Sequence, residues 1–166
     1  LIRKRWLLSF LLYSLLLALF FVHPATLHFM SVPLWGGRVE VPFIWFHIIA
    51  WLLLASPLST KSIDWIYEPT PWRTTVGAGI LTLIGTTAQH LTGTLLFATM
   101  AKPLMGISPE ALNVTWSAVF YVYPVERLIV ISAGTIVAAA VTRALIAAGL
   151  VRTRARTISS MNTHGL

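Results

Sequence analysis

His90 sits between Gln89 and Thr92 in a stretch, Thr74 to Ala101, that contains no Asp, Glu, Lys or Arg. His47 occupies a second uncharged stretch, Val41 to Thr60, and Glu126-Arg127 opens a third apolar segment just after Tyr121, Tyr123 and Pro124. Ionisable groups in such surroundings are costly without partners, so each marks a candidate site. His90 reads either as a ligand-contacting imidazole or as a neutral histidine bonded to a neighbouring helix. Glu126 and Arg127 read either as ligand groups or as a pair capping a helix at a membrane boundary. Trp116, Tyr121 and Tyr123 read as interface-belt or packing aromatics.

Other chemistry is missing from the pattern. There is no phosphate-cradling glycine loop, no hydrolase elbow and no two-histidine zinc motif, since His23 and His28 lack the i, i+4 spacing of a helical zinc pair. With no cysteine, disulfides, iron–sulfur clusters and thiolate catalysis are excluded. The expectation is a protein that is not an enzyme and holds no metal or cofactor. Asn113-Val114-Thr115 matches the glycosylation sequon, a frequent accident that is blocked inside a bilayer. His47 and His90 leave one redox alternative, a haem- or quinone-binding membrane anchor, although their depths differ by about 6 Å in adjacent antiparallel helices. A structural accessory subunit of a larger membrane complex is a further alternative.

The elements that carry these residues follow from the charge-free runs. Runs of about 20 apolar residues are what a bilayer core demands of a helix, and these lack the alternation of barrel strands. The fold class expected is an all-α polytopic transmembrane bundle, one integral membrane domain over 1–166, multi-pass in the cell membrane. Trp6 to Gly37 would be about 48 Å as one helix, too long for a single span, so Pro24, Pro33 and Gly36-Gly37 must turn the chain. The first helix then ends near Val22, and His23 to Gly37 is a short span or an outer loop. Arg38 to Val41 forms a polar hinge. Pro42 opens a helix to about Ser56, and Pro57 to Thr74 is an interfacial connector. Thr75 to about Thr99 is a long helix whose small residues permit close packing in lipid. Ser108-Pro109-Glu110 starts a short helix over Ala111 to Tyr123, and Pro124 separates it from a last helix to Val151. Six spans result if both short segments cross, four if neither does.

The charge of +7 lies largely in end clusters, Arg3-Lys4-Arg5 and Arg143, Arg152, Arg154, Arg156. Flanking apolar segments, they read as the positive-inside bias and as attraction to anionic membrane lipid rather than to nucleic acid. Both termini are then cytoplasmic. Arg3-Lys4-Arg5 before Trp6 to Val22 has the outline of a signal peptide, but no small-x-small site follows at His23-Pro24-Ala25, and a retained signal-anchor helix is expected.

The order Gln89-His90-Leu91-Thr92-Gly93-Thr94-Leu95-Leu96-Phe97, then Trp116-Ser117-Ala118-Val119-Phe120-Tyr121-Val122-Tyr123-Pro124-Val125-Glu126-Arg127, resembles the last three helices of substrate-binding S components of energy-coupling factor transporters, over about residues 85–148. Ser14 and Ala18 form a small-xxx-small pair like that by which the family docks its coupling subunit. Two features depart from the family: Tyr121-Val122 stands where thiamine-type members have Tyr-Asn, and Val125 splits Pro124 from Glu126. The resemblance implies uptake of a small water-soluble, vitamin-like nutrient, with a transmembrane coupling subunit and ATPase subunits supplying the energy. It implies a pocket lined by His90, Trp116, Tyr121, Tyr123 and Glu126 and closed by the His23–Gly37 loop.

Overall fold

The computed structural model describes residues 2–34, 36–68 and 70–151. The side chains of Arg3 and Lys4, and the whole of Arg152, Arg154 and Arg156, lie outside the described residues. The elements run α1 (Ile2–Val22), β1 (Phe29–Leu34), β2 (Gly37–Pro42), α2 (Trp45–Ala55), α3 (Pro57–Ile66), α4 (Pro71–Met105) and α5 (Pro109–Ala147).

The fold is mostly helical, and α1, α4 and α5 are each long and apolar enough to cross a membrane. Residues such as Leu8, Leu11, Leu15, Leu96, Val122, Ile129 and Ile136 are exposed along them. Apolar surface on that scale is rare on a soluble monomer and suits contact with lipid. α2 and α3 meet at a 74° bend and together pass the same test as one broken span. The bend has a local cause. Ser56 ends α2 in an extended conformation and its hydroxyl accepts from the Leu58 N–H, while Pro57 takes the first helical position, where its missing N–H is harmless.

Six spans are not found, for two reasons. His23 to Gly37 does not cross; from Phe29 it enters an antiparallel hairpin, paired Phe29↔Pro42 through Leu34↔Gly37, with Gly36 at φ 82° in the turn. Arg38 and Glu40 alternate with Val39 and Val41 along β2, so the expected hinge is a strand, the fold is not purely α, and α2 starts at Trp45 rather than Pro42. The second reason is that Pro124 does not divide α5. A proline forfeits one helical hydrogen bond, a loss that transmembrane helices tolerate where neighbours support the backbone. At the other end of α5, Ser108 caps the helix from the Ala111 N–H as the sequence indicated, and Gly106 closes α4 at φ 64°. The connector Pro57 to Thr74 also contains more regular structure than expected, namely α3 and the first turn of α4.

The helices pair in a consistent sense. In α1 and α2, Trp6 Nε1 donates to the Leu54 carbonyl at 2.8 Å while Phe20 stacks on Phe43, so the two are antiparallel. In α4 and α5, Gly79 faces Thr135, His90 stacks on Tyr123 and Phe97 meets Trp116, which is antiparallel along the whole hairpin. His23, just beyond α1, bonds Thr99 near the end of α4, so those two helices run parallel. The beginning of α1, the α3 region, the beginning of α4 and the end of α5 therefore share one end of the bundle. Two glycines permit the closest approaches: a β-carbon at Gly77 would lie 2.6 Å from the Ser62 carbonyl oxygen, and one at Gly134 would lie 2.8 Å from Thr82 Cγ2. The core behind these contacts includes Tyr13, Phe20, Phe43, Leu91, Trp116 and Phe120.

Candidate functional site

The antiparallel α4–α5 hairpin places Tyr123 opposite His90, their ring centroids 3.8 Å apart and their planes at 28°. α2 brings His47 against the same tyrosine, its ring parallel to within 3° at a centroid distance of 5.1 Å. His47 is 2% exposed, and its Nε2 is 3.1 Å from the Tyr123 hydroxyl, a hydrogen bond whose direction follows the imidazole tautomer. Tyr13 on α1 donates to the His47 backbone carbonyl at 3.2 Å. One turn on from Tyr123, Arg127 lays its guanidinium 5.3 Å from the centre of the tyrosine ring and pairs with Glu126. Three helices thus converge on Tyr123, and α1 backs the cluster through Tyr13.

Beside this cluster lies a cavity of about 380 Å³. α4 contributes Gln89, His90, Gly93, Thr94 and Phe97; α5 contributes Thr115, Trp116, Val119 and Arg127. The volume falls within the range of small-molecule sites, and its wall combines apolar faces with a few polar groups. Phe97 and Trp116 meet edge to face at 5.8 Å. Trp116 Nε1 already donates to the Ala25 carbonyl at 2.9 Å, so toward the cavity the indole has its ring to offer rather than its N–H. That bond also ties the segment between α1 and the β hairpin to the α4–α5 wall, as does the 3.2 Å contact between Thr99 and His23.

Of the residues expected to line a pocket, His90 and Trp116 do so. Tyr123 stands one layer behind, covered by His90 and Arg127. Glu126 is half exposed and does not line the cavity, pairing instead with Arg127, which does. Tyr121 is turned away, 52% exposed, because two residues along a helix rotate a side chain by about 200° from Tyr123. Ser14 and Ala18 do not form one free face. Ser14 accepts from Trp51 Nε1 at 2.9 Å and donates to the Phe10 carbonyl, whereas Ala18 is exposed.

Gln89, Gly93, Thr94 and Phe97 were not singled out in advance as liners, although the last three fall three, four and seven residues after His90, the spacing of one helix face. Val119 falls three residues after Trp116 and four after Thr115, so periodicity joins it to both, whereas Thr115, adjacent to Trp116, carries no such signal from that anchor. Arg127 was visible in the sequence, but its direction was not.

The two histidines are neighbours, with centroids 5.6 Å apart. Tyr123 covers the face of His90 and occupies His47 Nε2, so no slot for a porphyrin separates the imidazoles. Among the described residues no group of three or more His, Cys, Asp or Glu side chains converges as a metal site. What the arrangement offers is stacking, neutral hydrogen bonding and one cation. Compared with known protein families, curated proteins and solved structures, the chain matches none.

Proposed function

We propose that this chain is a membrane-embedded substrate-binding subunit for uptake of a small water-soluble nutrient. The observation that carries the reading is the cavity at the α4–α5 crossing, where His90, Gln89, Thr94 and Arg127 interrupt helices that are otherwise apolar. Ionisable groups such as His90 and Arg127 inside membrane helices are costly, and where they face a cavity they mark it as a candidate substrate site. The sequence carries no nucleotide-binding loop, so energy for transport is assigned to separate subunits, a transmembrane coupling protein and its ATPases.

On this reading the chain is a multi-pass protein of the cell membrane with four spans, α2 and α3 together forming the broken one. Arg5, Lys61, Arg73 and Arg143 belong to the end of the bundle where α1 and α4 begin and α5 finishes; Arg38 and Lys102 belong to the other. The positive-inside bias assigns the first end, and with it both termini, to the cytoplasm. The cavity then lies toward the outer side, about 25 Å along α4 from Arg73.

The test is purification from native membranes followed by mass spectrometry of co-purifying proteins and small molecules. The expected result is a small polar molecule retained by the parent and lost from His90→Ala, together with membrane and ATPase subunits. Recovery of partners with no small molecule from either protein would favour the accessory-subunit alternative.

A further inference from the structure

The cavity contains one formal charge. Arg127 is its only charged liner among the described residues, and no carboxylate faces it there. Within the chain the guanidinium is only partly satisfied: one terminal nitrogen donates to Glu126, while Nε is buried and has no hydrogen-bond partner. Nε is sealed from the cavity as well as from solvent, so a ligand there meets the terminal nitrogens of the guanidinium. The Arg127 side chain is 13% exposed, so little solvent reaches it, whereas Glu126 is 51% exposed and spends much of its charge outward.

The remaining liners narrow the class. Phe97 and Trp116 both line the cavity at right angles to each other, but Trp116 is 3% exposed and spends its N–H on Ala25, so the half-buried Phe97 is the ring left to meet a ligand. Thr115 donates its hydroxyl hydrogen to the Ala111 carbonyl, and Thr94 lies 3.4 Å from His90 Nδ1, so both have local partners. Gln89 and His90 are left for neutral groups at the ligand's edge. A volume of about 380 Å³ accommodates one or two fused rings with a short substituent.

We infer that the cavity takes a planar aromatic molecule bearing a carboxylate, the ring against Phe97 and the carboxylate on Arg127. A carboxylate matches the charge and the terminal donors of the guanidinium. Such a ligand is the opposite in charge to an ammonium or thiazolium nutrient. The inference rests on the proposed role of the cavity as a ligand site.

The test uses three probes of one shape, 2-naphthoate, 2-naphthamide and 2-naphthylmethylammonium, titrated against the full chain in detergent with tryptophan fluorescence as the readout. 2-Naphthoate is expected to bind about tenfold or more tighter than the amide, the difference a charge-assisted hydrogen bond supplies. Arg127→Gln should erase that preference, with Arg127→Lys retaining part of it because the charge remains without the fork. Glu126→Gln, which removes the competing carboxylate, should tighten 2-naphthoate and leave 2-naphthamide unchanged. A thermal melt of each variant identifies any that fails to fold, and Glu126→Gln keeps the charge argument testable if Arg127→Gln does. Equal binding of all three probes, or a preference for the ammonium, refutes the carboxylate assignment and spares the cavity as a site. Failure of all three to bind overturns the cavity reading itself.

Discussion

Replacing Gly77 and Gly85 separately by alanine should move stability in opposite directions, although both lie in α4 only two turns apart. Alanine in a helix interior is favoured over glycine by about 1 kcal/mol, and this gain is common to both sites. At Gly85 a β-carbon meets nothing within 4 Å, so the propensity gain stands alone. At Gly77 the new atom lies 2.6 Å from the Ser62 carbonyl oxygen, 3.2 Å from Trp65 Cβ and 3.3 Å from the Ile66 nitrogen. Two of these are backbone atoms and the third is a β-carbon, so none can rotate aside. Restoring an ordinary contact requires α3 to retreat by about 1 Å, and overpacking of this kind costs about 1–3 kcal/mol. The net expectation is a loss of up to about 2 kcal/mol for Gly77→Ala and a gain of up to about 1 kcal/mol for Gly85→Ala. Thermal unfolding in one detergent, followed by tryptophan fluorescence, gives the comparison. A Gly77→Ala protein stabilised as much as Gly85→Ala would refute the close α3–α4 contact and with it the placement of the broken span.

Tyr123→Phe keeps the ring stacked on His90 but leaves His47 buried with neither ring nitrogen paired, since its Nδ1 already lacks a partner; a loss of about 1–3 kcal/mol is expected, and an unchanged melting temperature would contradict the three-helix cluster. Reporter fusions before Ile2 and after Val151 should both report cytoplasm; reporters on opposite sides would rule out the four-span arrangement. Ser14→Ala should lower stability by about 1 kcal/mol because Trp51 loses its acceptor. Ala18→Leu, on the exposed side of α1, should leave the melt unchanged and reduce the transport subunits recovered in a pull-down, and equal recovery would remove Ala18 from any docking face.

Much of the fold was legible because membrane insertion depends on local composition. Charge-free runs at Trp6–Val22, Thr75–Thr99 and Leu128–Thr142 identify α1, α4 and the last part of α5, and Ser108-Pro109-Glu110 marks a helix start from side chains adjacent in sequence. His90 and Trp116 were likewise identifiable as site candidates, one for its cost in lipid and the other for its place in an aromatic segment. Tertiary structure decided the rest. Phe29–Pro42 forms a hairpin because its strands pair with each other, and α5 continues through Pro124 with the adjacent Tyr123 held by His47 of α2 and His90 of α4. Tyr121 and Tyr123 look alike in sequence, yet one faces outward and the other joins two histidines from different helices. Composition sets whether a segment is a membrane helix. The face it turns inward depends on how closely its neighbours approach, here on Gly77 against α3 and Gly134 against Thr82, contacts between residues far apart in the chain.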